Sequence, residues 1–391
     1  MSLSTPHVIA GAQSPSRVAL VHEWFSVLAG SETVVQQFCG LYPQADLFAV
    51  IADPRVVAAT DFLRNRRLQT SFIQRLPAAQ KIFRSYLMLM PLAIEQFDLS
   101  EYQIVISSNH AVAKGVLTGP DQMHISYVHS PIRYAWDLQH QYLRESGLDS
   151  GVQGAIARWM LHHMRIWDQR TAAGVDHFVA NSQFIARRIR KVYGREATVI
   201  HPPVDVTGFP CRSEKDSYYL TASRLVPYKR VDLIVEAFGA MPDRRLVVVG
   251  EGPEDAKVRA KAGRNVELLG HQSRAALVEL MQGARAFVFA AEEDFGIMPV
   301  EAQACGTPVI AYGKGGALET VNGLGSPRAT GVFFPRQDAA SVIAAVERFE
   351  AHAGDFLPSS CRANAERFST QRFVQEFAEY VTRRWAERGG S

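Results

Sequence analysis

The chain has 391 residues, enough for two or three domains that each bury a core of their own. Its 47% hydrophobic and 21% charged content is that of a globular protein, and a net charge of +3 is too small to indicate a nucleic-acid partner. Four widely spaced cysteines, Cys39, Cys211, Cys305 and Cys361, form no CxxC pair, which reads as reduced thiols of a cytoplasmic protein rather than a disulfide framework or a zinc site. Residues 1–16 lack the basic start and apolar core of a signal peptide and read as a loose tail. No apolar run reaches the ~18 residues of a membrane span.

Val18–Val21 is the first predicted strand, ending in His22, Glu23 and Trp24. The chain then turns through Ala29–Gly30, and Ser31 can open a helix carrying Val34, Val35 and Phe38. Such a turn is either an anion site, because free N–H groups and the helix dipole point at it, or a plain connection. Ala45–Ile51 is the next strand. Between Asp61 and Glu95 six basic residues, Arg64, Arg66, Arg67, Arg75, Lys81 and Arg84, are interleaved with aromatic and aliphatic ones and no acid intervenes. The segment reads either as surface helices with buried faces or as an interfacial surface for anionic lipid.

Further strands are predicted at Ile104–Ser107 and at Ile125–Val128, the second running into His129 in the string SYVHSPIRYAWD. A histidine at a strand tip is either a satisfied core residue or a ligand-facing group, and the carboxyl end of a parallel strand is where ligands bind. Residues 155–173 form a predicted helix. Phe178–Ala180 is a strand, followed by a helix from Gln183 to Tyr193 that Gly194 stops. Its Arg187, Arg188, Arg190 and Lys191 read as a solvated basic face. The polar segment 207–217 is the expected interdomain linker.

In the second half, Tyr218–Ala222 is a strand whose loop reads SRLVPYKR, so Arg224 and Lys229 are presented together before a helix with Val231, Ile234, Val235 and Phe238 on one face. The sequence has no D-x-D at which a divalent metal could be held, and two cations beside a helix N-terminus can neutralise a diphosphate instead. After the strand Leu246–Val249 comes Gly250-Glu251-Gly252-Pro253. Asp255 stands where a G-x-G-x-x-G dinucleotide fingerprint needs glycine, which excludes that fingerprint at this turn. Gly313–Gly316 and Glu319 form a glycine-rich loop to which the sequence gives no role. Phe373, Phe377, Tyr380 and Val381 recur at helical spacing in the C-terminal segment.

The stretch Arg285–Ala311 organises this half. An apolar strand, Ala286–Ala290, leads to Glu292, Glu293, Asp294, Phe295 and Gly296. A helix follows with Pro299 expected at its first position, then a stop at Gly306 and a strand from Val309 to Tyr312. Glu292 and Asp294 read as solvated turn charges. Glu301, inside the helix among Pro299, Val300, Ala302 and Ala304, needs a fixed donor such as a ligand hydroxyl or a backbone N–H.

The string EDFGIMPVE, from Glu293 to Glu301, with CGTPVIA after it, resembles the E-x7-E motif of the family 4 retaining glycosyltransferases. The resemblance runs through nearly the whole chain from about Val18. It implies the GT-B fold, two doubly wound Rossmann-like α/β domains facing a central cleft. The domains would be an acceptor-side domain over residues 1–205 and a nucleotide-sugar donor domain over 206–369, with a C-terminal helix, 370–391, packed back on the first. In the family's terms Arg224 and Lys229 are the R-x4-K diphosphate clasp, and Glu301 holds the ribose. Glu293 and the backbone of Phe295, Gly296 and Ile297 hold sugar hydroxyls, and His129 stands beside the donor sugar. Gly30 belongs to a turn resembling GGxE, which in the family approaches the donor diphosphate, with Ala29 in place of the first glycine.

PYKRVDLIVEAF and SYVHSPIRYAWD resemble the mannosyltransferases of bacterial O-antigen and exopolysaccharide assembly. The implied reaction moves α-mannosyl from GDP-mannose to a lipid-linked or growing saccharide, with retention and without metal or other cofactor. It would take place in the cytoplasm or at the cytoplasmic face of the inner membrane, with peripheral contact to anionic lipid. Two other readings of the same motifs are a nucleotide-sugar epimerase of the GT-B type and a non-catalytic nucleotide-sugar binding module.

Overall fold

The computed structural model describes residues 17–389, so the expectation for residues 1–16 lies outside the described residues. Two parallel sheets carry the fold. The first contains β1 (Val18–Phe25), β2 (Asp46–Ala52), β3 (Leu68–Thr70), β4 (Ile104–Asn109), β5 (Met123–Val128), β6 (His177–Ala180) and β7 (Ala197–Val199) in the order β3-β2-β1-β4-β5-β6-β7. The second contains β8 (Tyr219–Ala222), β9 (Leu246–Val249), β10 (Val266–Gly270), β11 (Ala286–Phe289), β12 (Val309–Tyr312) and β13 (Gly331–Phe334) in the order β10-β9-β8-β11-β12-β13. Each order reverses once, between β1 and β4 in the first sheet and between β8 and β11 in the second. That is the doubly wound arrangement, and ligands bind outside the carboxyl ends of the strands at such a reversal. The central strands are almost wholly buried because helices cover both faces, and β11 reads accordingly as a continuous apolar run.

The chain forms two compact units. Among the described residues the first holds 17–135, Arg158–Val179 and 374–389; the second holds Trp136–Ala157 and Ala180–Phe373. The sequence boundary at 205 therefore falls inside the second unit. Within the first unit the C-terminal helix, Thr370–Gly389, sets Phe377 against Phe38 with ring centroids 4.4 Å apart. Within the second, the helix Gln183–Tyr193 begins where Ser182 Oγ accepts from Ile185 N–H at 3.1 Å and ends at Gly194 with φ 64°.

Several local expectations give way to tertiary contacts. Residues 62–90 form short turns of helix and the edge strand β3, and three of their arginines are engaged within the unit. Arg66 donates to the carbonyls of Cys39, Tyr42, Pro43 and Ala45 and so satisfies the C-terminal end of the helix Gly30–Leu41. Arg64 pairs with Asp61, and Arg67 lies 3.9 Å from Asp46. Lys81, Ile82, Arg84, Leu89 and Leu92 remain exposed. The expected linker is packed rather than free: Phe209 is buried, and Lys215 donates to the carbonyls of Gln282 and Cys305 and to Thr307. Among the described residues no helix is long and apolar enough to cross a membrane.

Candidate functional site

β8 and β11 are hydrogen-bonded neighbours, pairing Tyr219 with Ala286 and Leu220 with Phe287, so the loops at their carboxyl ends emerge side by side. The first loop is SRLVPYKR. Its backbone rests on the turn after β9: Leu225 N–H donates to Glu251 O at 2.9 Å and Glu254 N–H to Leu225 O at 3.0 Å. A Cβ on Gly252 would stand 2.3 Å from Leu225 O, so a side chain at 252 would push the loop away. Arg224 is exposed and forms no ion pair among the described residues. Lys229 closes the turn Pro227–Lys229 and is ion-paired with Glu293 of the neighbouring loop. Arg230, directly after it, holds φ 54°, a left-handed conformation that costs a non-glycine residue about 1–2 kcal/mol.

The second loop follows β11. Its position is fixed by the glycine-rich loop after β12, where Gly316 N–H donates to Glu293 O at 2.8 Å and Glu293 and Gly315 bridge. A Cβ on Gly316 would lie 2.3 Å from Phe295 Cα, so only glycine allows the two backbones to meet. Phe295 is buried against His201 and Phe368. The amides of Phe295, Gly296 and Ile297 donate to no backbone carbonyl among the described residues, and they open the helix Ile297–Ala304. Consecutive free N–H groups at a helix start suit oxygen-rich or anionic ligands. Pro299 is the third residue of that helix rather than its first.

The acids of this stretch separate by environment. Glu292 pairs with exposed Lys314 at 3.0 Å, as a turn charge would. Asp294 does not behave so: it is buried and lies 3.1 Å from Arg188, which also reaches Asp137 at 2.5 Å. Arg188 is thereby an internal bridge and not part of a solvated face. Glu301 accepts no hydrogen bond among the described residues, and burial raises its carboxyl from 4.5 to about 7 against the attraction of Arg274, with Asp205 adding to the rise. Part of its surface remains open to solvent while protein surrounds the rest.

On the first unit, Gly30 begins the helix Gly30–Leu41. Ala29 holds φ −139°, extended backbone open to any residue, so alanine causes no strain there. Glu32 accepts from Ala29 N–H at 2.9 Å and from Ser31 Oγ at 3.0 Å, with His22 Nε2 at 3.2 Å. His22 Nδ1 lies 3.2 Å from Ser108 O. Both His22 partners only accept, so both ring nitrogens carry hydrogen. Burial pulls this imidazole down, yet the Glu32 hydrogen bond and the charges of Glu23 and Glu32 override it, leaving it raised. His129 contacts Ser108 Oγ at 2.8 Å, and burial, followed by the charges of His110 and His22, lowers it to about 3, so it is neutral.

The structure thus brings Lys229 and Glu293 into contact, sets Arg224 and the 295–297 amides on adjoining strand ends, and leaves Glu301 without a protein donor. Sequence reasoning missed Arg188, Glu23, Gly316 and Glu319. Glu319 accepts from the amides of Gln183 and Phe184 and lies 3.2 Å from His201. The signals were an acid inside an apolar strand, at Glu23, and paired glycines at a strand end, at Gly315 and Gly316.

Two doubly wound parallel sheets with these loops at their reversals define the GT-B class of fold. A sucrose-phosphate synthase from Thermosynechococcus elongatus shares it with a TM-score of 0.71 at 18% identity, over 95% of this chain and 99% of that one. The family model Glycosyltransferase Family 4 matches residues 29–207, and Glycosyl transferases group 1 matches residues 210–368. The chain belongs to family 4 of the glycosyltransferases. It is 33% identical over 178 residues to a GDP-mannose-dependent monoacylated alpha-(1-6)-phosphatidylinositol monomannoside mannosyltransferase of Corynebacterium glutamicum, 38% of this chain and 47% of the relative. It is 29% identical over 257 residues to a D-inositol 3-phosphate glycosyltransferase of Geodermatophilus obscurus, 56% of this chain and 54% of the relative. The match spans about half the length of these curated relatives.

Proposed function

We propose that this chain is a retaining glycosyltransferase that passes an α-mannosyl unit from GDP-mannose to a lipid-linked or growing saccharide without a bound metal. One observation carries the reading. Where the second sheet reverses, two cations, one of them paired with Glu293, adjoin three consecutive free amides and a desolvated carboxylate without a donor. A nucleoside diphosphate sugar presents what each of these lacks. The diphosphate meets Arg224 and Lys229, the ribose hydroxyls donate to Glu301, and sugar oxygens meet the amides of Phe295, Gly296 and Ile297. Diphosphate binding draws Lys229 away from Glu293, which frees that carboxylate for sugar hydroxyls and for the positive charge that develops on the ring during transfer. The departing phosphate oxygen takes the acceptor proton.

The mannosyl assignment draws support from the strings PYKRVDLIVEAF and SYVHSPIRYAWD and from the donor named for the Corynebacterium glutamicum relative. A thermal-shift screen against GDP-mannose, UDP-glucose, UDP-galactose and ADP-glucose tests it, because a ligand that binds only the folded state raises its melting temperature. The expected result is a shift with GDP-mannose larger than with any uridine nucleotide. A shift confined to UDP-sugars rejects the mannosyl assignment, and no shift with any member rejects donor binding. Turnover is expected to survive EDTA; loss restored by Mg²⁺ rejects the metal-free clasp. An epimerase would convert the donor with no acceptor present, which product analysis distinguishes.

A further inference from the structure

The helix Gln183–Tyr193 takes no part in the donor chemistry above, yet two of the loops that shape the site are fastened to it. At its start Glu319 accepts from Gln183 N–H at 2.8 Å and from Phe184 N–H at 2.9 Å, while Ser182 Oγ accepts from Ile185 N–H. These first-turn donors, which would otherwise attract an external anion, are satisfied from within. Burial raises the Glu319 carboxyl, but His201 and the two amides override it and hold it below the usual range. Glu319 belongs to the short helix Ala317–Thr320, and Gly316, just before that helix, is the residue whose N–H donates to Glu293 O. One turn along the helix from Phe184, Arg188 lays its guanidinium over the Phe184 ring, 4.7 Å from the centroid, and pairs with Asp294 at 3.1 Å. Its other edge pairs with Asp137 of the string SYVHSPIRYAWD at 2.5 Å. A third tie runs from Glu319 through His201, 3.2 Å away, whose ring centroid lies 5.7 Å from that of Phe295. All of these residues lie in the second unit.

Three successive acids thus have a cation each: Glu292 has Lys314, Glu293 has Lys229 and Asp294 has Arg188. When a diphosphate draws Lys229 away, the outer two stay neutralised and Glu293 alone is released. The ties described here converge on residues 293–295 and include neither Arg224 nor Glu301. Resting on the glycosyltransferase reading, we propose that the helix Gln183–Tyr193 braces the loop 293–297 in the geometry that receives the sugar. Arg188 and Glu319 are the positioning residues, and Asp137 fixes the Arg188 side chain.

Hydrogen exchange on the full chain without ligand, read amide by amide by NMR, tests the brace. Arg188→Ala leaves Asp294 buried without its cation and is expected to speed exchange of the Gly316 N–H by about tenfold or more. The Leu225 N–H, which donates to Glu251 O in the other loop, is expected to keep its wild-type rate. If Arg188→Ala does not fold, Asp137→Asn, which removes only the half-exposed partner, should speed the same amide by about two- to fivefold. A wild-type rate for Gly316 in the variant that folds overturns the brace. Calorimetry with GDP and GDP-mannose then reads the consequence for the sugar. Arg188→Ala is expected to bind GDP as the wild type does and GDP-mannose about tenfold more weakly, as one lost hydrogen bond to the sugar would give. Equal losses for the two ligands, or no loss for either, overturn the positioning role. A wild type that binds neither defeats the donor reading instead, and the Gly316 exchange still decides the brace.

Discussion

Replacing Glu301 by Gln removes a charge that the folded protein holds at a cost. Its carboxyl rises from 4.5 to about 7, chiefly through burial. At ~1.36 kcal/mol per unit, that displacement amounts to about 3 kcal/mol against the ionised form in the folded state. The native state keeps its proton between pH 4.5 and 7 while the unfolded chain loses it, so stability falls as pH rises through that window and the full penalty is present above it. Glu301→Gln should then melt at a higher temperature than the wild type at pH 8, by up to about 3 kcal/mol of stability, with the gap closing by pH 5. Binding moves the other way. Losing a charged acceptor for the ribose hydroxyls should cost about 1.5–3 kcal/mol, or roughly ten- to a hundredfold in GDP affinity, at pH 8. Because the wild type must give up a proton to use this carboxylate below pH 7, its affinity should drop about tenfold from pH 8 to pH 6 while the variant stays flat. Isothermal calorimetry in two buffers of different ionisation enthalpy reads both the affinity and the proton released. Equal GDP affinity of variant and wild type at pH 8, or a wild-type affinity that ignores pH from 6 to 8, would refute the assignment of Glu301 to the ribose.

Glu293→Gln should lower kcat strongly without weakening GDP, since on the proposed reading Lys229, ion-paired with Glu293 in the structure, must leave that carboxylate to meet the diphosphate; a GDP loss as large as that of Glu301→Gln contradicts this. Gly316→Ala places a methyl within 2.3 Å of Phe295, so it should destabilise by about 1–3 kcal/mol in urea melts and raise the donor KM as the 293–297 loop shifts. Arg66→Ala strips donors from four carbonyls and should cost about 1.5–3 kcal/mol, whereas Arg64→Ala, losing one exposed pair, should stay within about 0.5 kcal/mol; equal effects reject the difference in role. Peripheral lipid contact, if made through exposed Lys81, Ile82, Arg84, Leu89 and Leu92, should weaken by about 1 kcal/mol per charge in Lys81→Glu and Arg84→Glu when sedimented with phosphatidylglycerol vesicles, and wild-type protein that stays in the supernatant at low salt excludes it.

What the sequence disclosed and what it withheld divide along the range of the interactions. Ser182 and Gly194 mark the ends of the helix between them because a cap depends only on residues a few positions away. Leu246–Val249 and Val309–Tyr312 appear as read, since a buried parallel strand is its own apolar run. Glu301 was legible because an acid among apolar helical neighbours is anomalous on its face. Arg66 and Arg188 were misjudged as surface charges: their acceptors lie on segments distant in the chain, and a basic side chain carries no local mark of which carbonyl or carboxylate it will meet. Asp294 shares that reason with Arg188. The glycine-rich loop 313–316 had no role in the sequence; Gly315 and Gly316 are there for a close backbone approach that becomes visible only when β11 and β12 lie side by side.

The first unit has a consequence for synthesis of the chain. Its core is completed by Phe377, Tyr380 and Val381, and Phe377 fills the space beside Phe38 and Tyr127. Those residues leave the ribosome only after the whole second unit. While the second unit is being made, the nascent first sheet exposes an aromatic groove that nothing yet covers, and such a partly finished surface invites chaperones or aggregation. The second unit, all of whose segments precede residue 374, can close before the one that began emerging first. The residues that complete the first unit therefore become available only after all those of the second, the reverse of the order in which the two units begin to emerge.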